Sequence, residues 1–215
     1  MLKQIKLIVF IVAFLPFANC FAFLNSTDLF VEGGFSSYYL LEDLYTGGNW
    51  KVTLTLPLLS YNKTFDIVAG GSAKIERTSF LTQTRYYSIN SDITSYQLGV
   101  VGGIKYRVIS PFYIYLLGNA NYSPYTQFVN HFYLYSLDSF QNSKVDYNMN
   151  AGIELKFIYK IFRDFGIGFS LYGAYGLIKY QDTTFLSLTF QGNQGGYIIL
   201  NTNLNFVYFI KWMLW

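Results

Sequence analysis

Along most of the chain, hydrophobic and polar residues alternate one for one. In residues 28–41, Leu29, Val31, Phe35, Tyr39 and Leu41 are apolar, with Asp28, Glu32, Gly34 and Ser36 between them. Residues 50–59 put Trp50, Val52, Leu54, Leu56 and Leu58 on one side and Lys51, Thr53 and Thr55 on the other. The same period runs through 64–77, 94–108, 112–122, 165–177 and 198–212. It is clearest in 145–157, where Val145, Tyr147, Met149, Ala151, Ile153, Leu155 and Phe157 interleave with Asp146, Asn148, Asn150, Gly152, Glu154 and Lys156. A period of two places successive side chains on opposite faces of a strand, whereas a helix needs 3.6. The pattern predicts about eight strands of roughly 10–16 residues, longer than soluble strands and long enough to cross a bilayer at a tilt.

The connections alternate too. Short turns are expected near 61–63, 109–110 and 162–164, and long polar-aromatic loops near 42–49, 78–93, 124–144 and 181–196. Short, long, short, long is the order of an antiparallel up-and-down barrel with brief periplasmic turns and longer external loops.

One continuous apolar run stands apart. Residues 1–22 carry Lys3 and Lys6, an apolar stretch from Leu7 to Phe14, and Pro16 ahead of small residues. This is the layout of a secretory signal peptide, cleaved after Cys20 or Ala22, which leaves 23–215 as the barrel domain. Cys20 is the only cysteine, so no disulfide is expected. A lipoprotein reading of Cys20 fits poorly, because Phe17 stands where Leu is wanted and Asn19 where Gly, Ala or Ser is wanted.

Composition narrows the class. The 215 residues are 52% hydrophobic and only 13% charged, far below the roughly 25% of an ordinary soluble surface. With 21 Phe and 21 Tyr the chain is not disordered, and it lacks the repeated long apolar runs of a helical membrane bundle. The formal net charge of +3 falls once Lys3 and Lys6 are removed, which gives no argument for nucleic acid.

Alternation alone does not say which face points inward. Volume does. An eight-stranded barrel has an interior only just wide enough for side chains. The apolar face holds Trp, Phe, Tyr, Leu and Ile, while the other is largely Gly, Ser, Asn and Thr with a few charges. The small polar set therefore belongs inside and the large apolar set faces lipid. On that outward face, Tyr39, Trp50, Tyr96, Tyr122, Tyr147 and Tyr175 fall near the external strand ends, and Phe65, Tyr106, Phe112, Phe157, Phe165, Tyr208 and Trp212 near the periplasmic ends. These are the two aromatic girdles expected at the membrane interfaces.

On this architecture the chain resembles the small eight-stranded outer-membrane proteins of the OmpA transmembrane-domain, OmpX and opacity-protein type, over essentially all of residues 23–215. The closing NFVYFIKWMLW looks like the amphipathic last strand of that class. It departs in register, since Trp215 does not share the parity of Phe206, Tyr208, Ile210 and Trp212. Either Trp212 is the effective terminal aromatic or the strand carries a bulge.

The inward charges of the inner half are Asp28, Glu32, Asp66, Lys105, Arg107, Glu154, Lys156 and Lys211. Buried charges must be paired, so Glu32, Asp66, Lys105, Arg107, Glu154 and Lys156 are expected to form a network that closes the lumen, with Asp28 and Lys211 at a solvated rim. The resemblance to the OmpA type implies the same charged cluster in place of an open pore. Inward Gly34, Gly70, Gly99, Gly103, Gly152, Gly166 and Gly168 leave room for long side chains, among them Tyr113, Tyr115 and Tyr172.

Candidate chemistry is sparse. His131 is the sole histidine, and Ser136, Asp138 and Ser139 follow it closely, a superficial hydrolase set. Lipid A-modifying barrels of the deacylase type use a His and a Ser placed together on a strand near the interface, which these residues do not match. One His leaves no metal-ligand cluster, and the glycine pairs lack the helix and lysine of a phosphate loop. No catalytic residue, metal or cofactor is expected. The reading is a closed structural and surface-interaction barrel, monomeric, in contact with outer-membrane lipid. Its loop residues Tyr125, Phe128, His131, Phe132, Tyr133, Tyr135 and Phe140 would meet a host or cell-surface ligand. The alternative is a small-solute or hydrophobic-compound pore of the OmpW type.

Overall fold

The computed structural model describes residues 27–40, 43–61, 64–83, 87–134, 137–181, 183–185, 188–190 and 194–210. Eight long strands form the wall: β1 (Thr27–Leu40), β2 (Asp43–Tyr61), β3 (Phe65–Gln83), β4 (Tyr87–Ile109), β5 (Phe112–Leu134), β6 (Leu137–Lys160), β7 (Phe165–Tyr180) and β10 (Gln194–Ile210). Two three-residue strands, β8 (Thr183–Phe185) and β9 (Leu188–Phe190), form a separate hairpin between β7 and β10. Each wall strand pairs antiparallel with the next along the chain, and β1 pairs with β10 to close the ring. Closure leaves no sheet edge, the condition for a sheet to sit in hydrocarbon.

The alternation read from the sequence is the sidedness of this wall. Trp50, Val52 and Leu54 are exposed outward while Lys51, Thr53 and Thr55 are buried. In β10, Leu200, Leu204, Phe206 and Tyr208 face out and Asn201, Asn203 and Asn205 face in. The connections are short where expected: β2 ends at Tyr61 and β3 begins at Phe65, β4 ends at Ile109 and β5 begins at Phe112, and β6 ends at Lys160 and β7 begins at Phe165.

The expected long loops prove to be mostly strand. β4 and β5 each run 23 residues and β6 runs 24, so residues 78–83 with 88–93, and 127–134 with 137–144, continue the ladder as hairpins. Those segments alternate weakly because above the membrane both faces of a hairpin can meet water. The lumen is also less polar than expected. Phe30, Val68, Tyr115, Leu117, Ile158, Val207 and Phe209 pack inside toward the short-turn end. Tyr38, Leu40, Tyr45, Ile93, Phe128, Tyr172, Ile178, Tyr197 and Ile199 pack inside toward the hairpin end. Val145 joins that second cluster rather than facing lipid, because β6 carries a bulge between Val145 and Tyr147 that changes its parity.

Close strand approach explains two of the inward glycines. A Cβ on Gly70 would lie 1.8 Å from the Leu54 carbonyl oxygen, and one on Gly103 would lie 2.0 Å from that of Leu116. Neither site has room for a side chain, and Gly permits the bend.

One stretch of wall is not laddered. β5 and β6 pair up to Tyr122↔Met149 and again from Gln127↔Lys144, in the same register, but residues 123–126 and 145–148 make no ladder pair with each other. Pro124 lies at the centre of the gap and has no N–H to give. One side-chain bond spans it, with Asn148 Nδ2 of β6 donating to Thr126 Oγ1 of β5 (3.1 Å). On the β5 side Thr126 Oγ1 donates to Ser123 Oγ (2.8 Å), which in turn donates to the Tyr96 carbonyl of β4 (2.8 Å).

Candidate functional site

Between the two apolar clusters lies a layer of charge, in which Glu32, Glu76 and Glu154 are buried with Lys51, Lys74 and Lys156. A fourth pair, Asp28 with Lys105, is buried within the short-turn-end cluster, against Tyr115 and Phe209, so the whole set is electrically neutral. The strands bring together groups far apart in sequence. Lys156 (β6) is ion-paired to Glu32 (β1) across the lumen and to Glu154 on its own strand at 3.1 Å. Glu154 also binds Lys51 of β2 at 2.6 Å. Lys74 pairs with Glu76 at 2.7 Å, and Lys105 with Asp28 at 2.7 Å.

Neutral donors complete the carboxylates. Thr53 Oγ1 (3.0 Å) and Ser170 Oγ (3.2 Å) donate to Glu32. Asn119 Nδ2 donates to Glu154 (3.3 Å), and Tyr115 OH donates to Asp28 (2.9 Å). Ser36 and Tyr38 hydroxyls and Gln97 Nε2 converge on Glu76. Aromatic faces meet the cations: Tyr172 lies 5.4 Å from Lys51 Nζ and 5.5 Å from Lys74 Nζ, and Phe30 lies 4.6 Å from Lys156 Nζ. Pairing, hydrogen bonding and ring contact together offset most of the demand that burial places on these charges; Asp28 takes both Lys105 and Tyr115 on one oxygen and leaves Oδ1 buried without a hydrogen bond. The arrangement can hold a lumen shut; it presents no activated nucleophile.

Of the six charges expected in the network, Glu32, Glu154 and Lys156 are joined to one another, and Lys105 pairs separately. Asp66 and Arg107 are not part of it. Asp66 is only half-buried, and although its backbone lies opposite Lys105, the Lys105 ammonium turns to Asp28. Arg107 rests over the Tyr113 ring at 5.9 Å. Asp28, expected at a solvated rim, is 2% exposed. Lys51, Lys74 and Glu76 have inward parity in the sequence but belong by position to the outer half. Parity tells in from out and not height along the axis, and tilted, staggered strands bring Lys51 level with Glu154. Lys211 lies outside the described residues.

The outward aromatics divide by exposure. Tyr39, Trp50, Tyr96, Tyr122 and Tyr175 are exposed toward the hairpin end, as are Tyr106 and Tyr208 toward the other. Tyr147, Phe65, Phe112, Phe157 and Phe165 are half-buried. Three of these lean on neighbours, with Phe157 stacked between Phe112 (6.5 Å) and Phe169 (4.8 Å), and Phe165 on Phe206 (6.4 Å). Trp212 lies outside the described residues.

The loop residues are strand residues. Tyr125, Phe128, His131, Phe132 and Tyr133 lie in β5 and Phe140 in β6; Tyr135 lies outside the described residues. Tyr125 and Tyr133 are exposed. His131 is half-buried with its ring stacked 6.5 Å from Tyr133. Phe128 is buried in the upper lumen cluster against Tyr180 (5.4 Å), so it offers nothing to an external ligand. β5 reverses its parity above Pro124, where β4 and β5 shift register between Tyr96 and Leu98.

No family model matches the chain, and no curated protein does. Solved structures similar to it include Ail, the attachment invasion locus protein of Yersinia pestis, at 13% identity and a TM-score of 0.42, covering 87% of this chain and 99% of that one. Neisserial surface protein A follows at 11% and 0.46, covering 86% and 97%. A major outer membrane protein from Thermus thermophilus stands at 9% and 0.49, covering 86% and 99%. By its own strand order, register and sidedness, the chain is an eight-stranded antiparallel up-and-down transmembrane β-barrel of the outer-membrane kind.

Proposed function

We propose that the chain is a closed barrel of the bacterial outer membrane, exported by a signal peptide over residues 1–22, which acts through its external hairpins as a structural and surface-interaction protein. The filled lumen carries this reading: among the described residues, ion-paired side chains and two packed apolar clusters occupy the interior and stand in the way of solute. The extended β3–β4 and β5–β6 hairpins are then the parts free to meet a partner at a host or cell surface, with Tyr125 and Tyr133 exposed on the second. The barrel acts as a monomer in contact with outer-membrane lipid, without a catalytic residue. The test is conductance of the refolded mature chain in a planar bilayer. The closed barrel shows no unitary steps, and Glu154→Gln, which weakens the hold on Lys51 and Lys156, introduces them. Steps in the unaltered chain, unchanged by Glu154→Gln, would reject the reading.

One observation favours a second reading, a conduit for small apolar compounds of the OmpW type. The unladdered stretch around Pro124 is a place where the wall could part sideways without breaking backbone hydrogen bonds.

A further inference from the structure

The outer wall of β2, β3 and β4 is not smooth. A groove of about 410 Å³ runs between Trp50, Ile75 and Tyr96 at its upper end and Val52 and Leu98 below, with Ala73 as its floor and Pro124 at one side. That volume is within the range of small-ligand sites. It exists because small residues sit where large ones would fill it. Ala73 lies between Val52 and Leu98 in the ladder, and the Trp50 ring lies against Gly33, where a Cβ would come within 3.0 Å of it. The side chains that line it from the outward face are nearly all apolar.

Directly above, one step further along the same face of β3, stands Arg77. Its side chain is 73% exposed, and a single guanidinium nitrogen reaches Asp92 at 3.3 Å. The rest of that fork is open to a second anion. Apolar trough, girdle aromatics and then an arginine is the sequence of chemistries met along one lipid molecule: acyl chain, glycerol region, phosphate.

We infer that this groove holds one acyl chain of an anionic outer-leaflet lipid, with the lipid's phosphate seated at Arg77. The inference rests on the reading of the outward face as membrane-embedded. Trp50 forms one wall and reports on the occupant. The mature chain is refolded into phosphatidylcholine vesicles containing a minor fraction of lipid brominated on its acyl chains, with either a phosphate-monoester or a phosphocholine headgroup. Trp50 emission is obtained by subtracting the spectrum of Trp50→Phe.

The anionic brominated lipid is expected to quench Trp50 about three-fold more than the zwitterionic one at equal fraction, as one arginine near a membrane surface would give with Asp92 partly offsetting it. Arg77→Gln, a surface change, brings the two to parity. Ala73→Leu removes the preference by filling the trough. Excess water-soluble glycerophosphate leaves the preference intact, because the chain supplies most of the binding; loss of preference on adding it would overturn the inference in favour of a free-anion site. Equal quenching by both lipids in the unaltered chain would also overturn it, as would a preference that survives Arg77→Gln. A heat-shiftable, inserted barrel whose Trp50 neither lipid reaches would mean that a second copy covers the groove. A chain that never inserts shows neither quenching nor a heat shift, and that outcome rejects the membrane reading itself.

Discussion

Glu154 lies between two ammonium groups, Lys51 at 2.6 Å and Lys156 at 3.1 Å, and all three are buried. Removing a carboxylate from such a triad leaves charge in a low-dielectric interior without compensation, a loss on the order of 3–5 kcal/mol. Glu154→Leu is therefore expected to lower the midpoint of urea unfolding in vesicles strongly. Adding Lys51→Met should recover part of the loss, because Lys156 keeps Glu32 and the orphaned ammonium is gone. A double variant no better than the single would mean that the three groups are not coupled. Gly70 tests the backbone in the same assay. A methyl there meets the Leu54 carbonyl at 1.8 Å, so Gly70→Ala is expected to cost about 1–3 kcal/mol through forced strand separation. Gly71→Ala changes little, since its methyl would meet nothing closer than the Gly99 carbonyl at 3.6 Å.

At the scale of the strand, the gap between β5 and β6 is the feature to probe. Amides paired in a ladder exchange slowly, while those held by side-chain bridges open locally at lower free energy. The amides of residues 123, 125, 126 and 145–148 that face this gap are expected to exchange faster than the laddered amides of 116–122 and 149–155 in detergent or vesicles. Pro124→Val restores a donor and should slow the facing amides of β6; uniform protection in the unaltered chain would show that the wall is continuous there. The strands also show what was legible in the sequence and what was not. Alternation was enough for number, direction and sidedness, since one buried face demands period two. It failed where both sides of the wall are apolar. In Leu29–Phe30–Val31 and Phe206–Val207–Tyr208–Phe209, nothing in residue type distinguishes the inward Phe30, Val207 and Phe209 from their outward neighbours. It failed again at Pro124 and Val145, where bulges reset the parity.

For the whole molecule, the eight buried charges sum to zero, and each lysine sits against a carboxylate. A voltage-driven protein needs net charge that can travel through the field, at about 2.3 kcal/mol per elementary charge for each 100 mV. Here an applied field pulls every acid and its base in opposite directions with equal force, and the pair stays where it is. Among the described residues, the buried ion pairs offer a membrane potential no net charge to move.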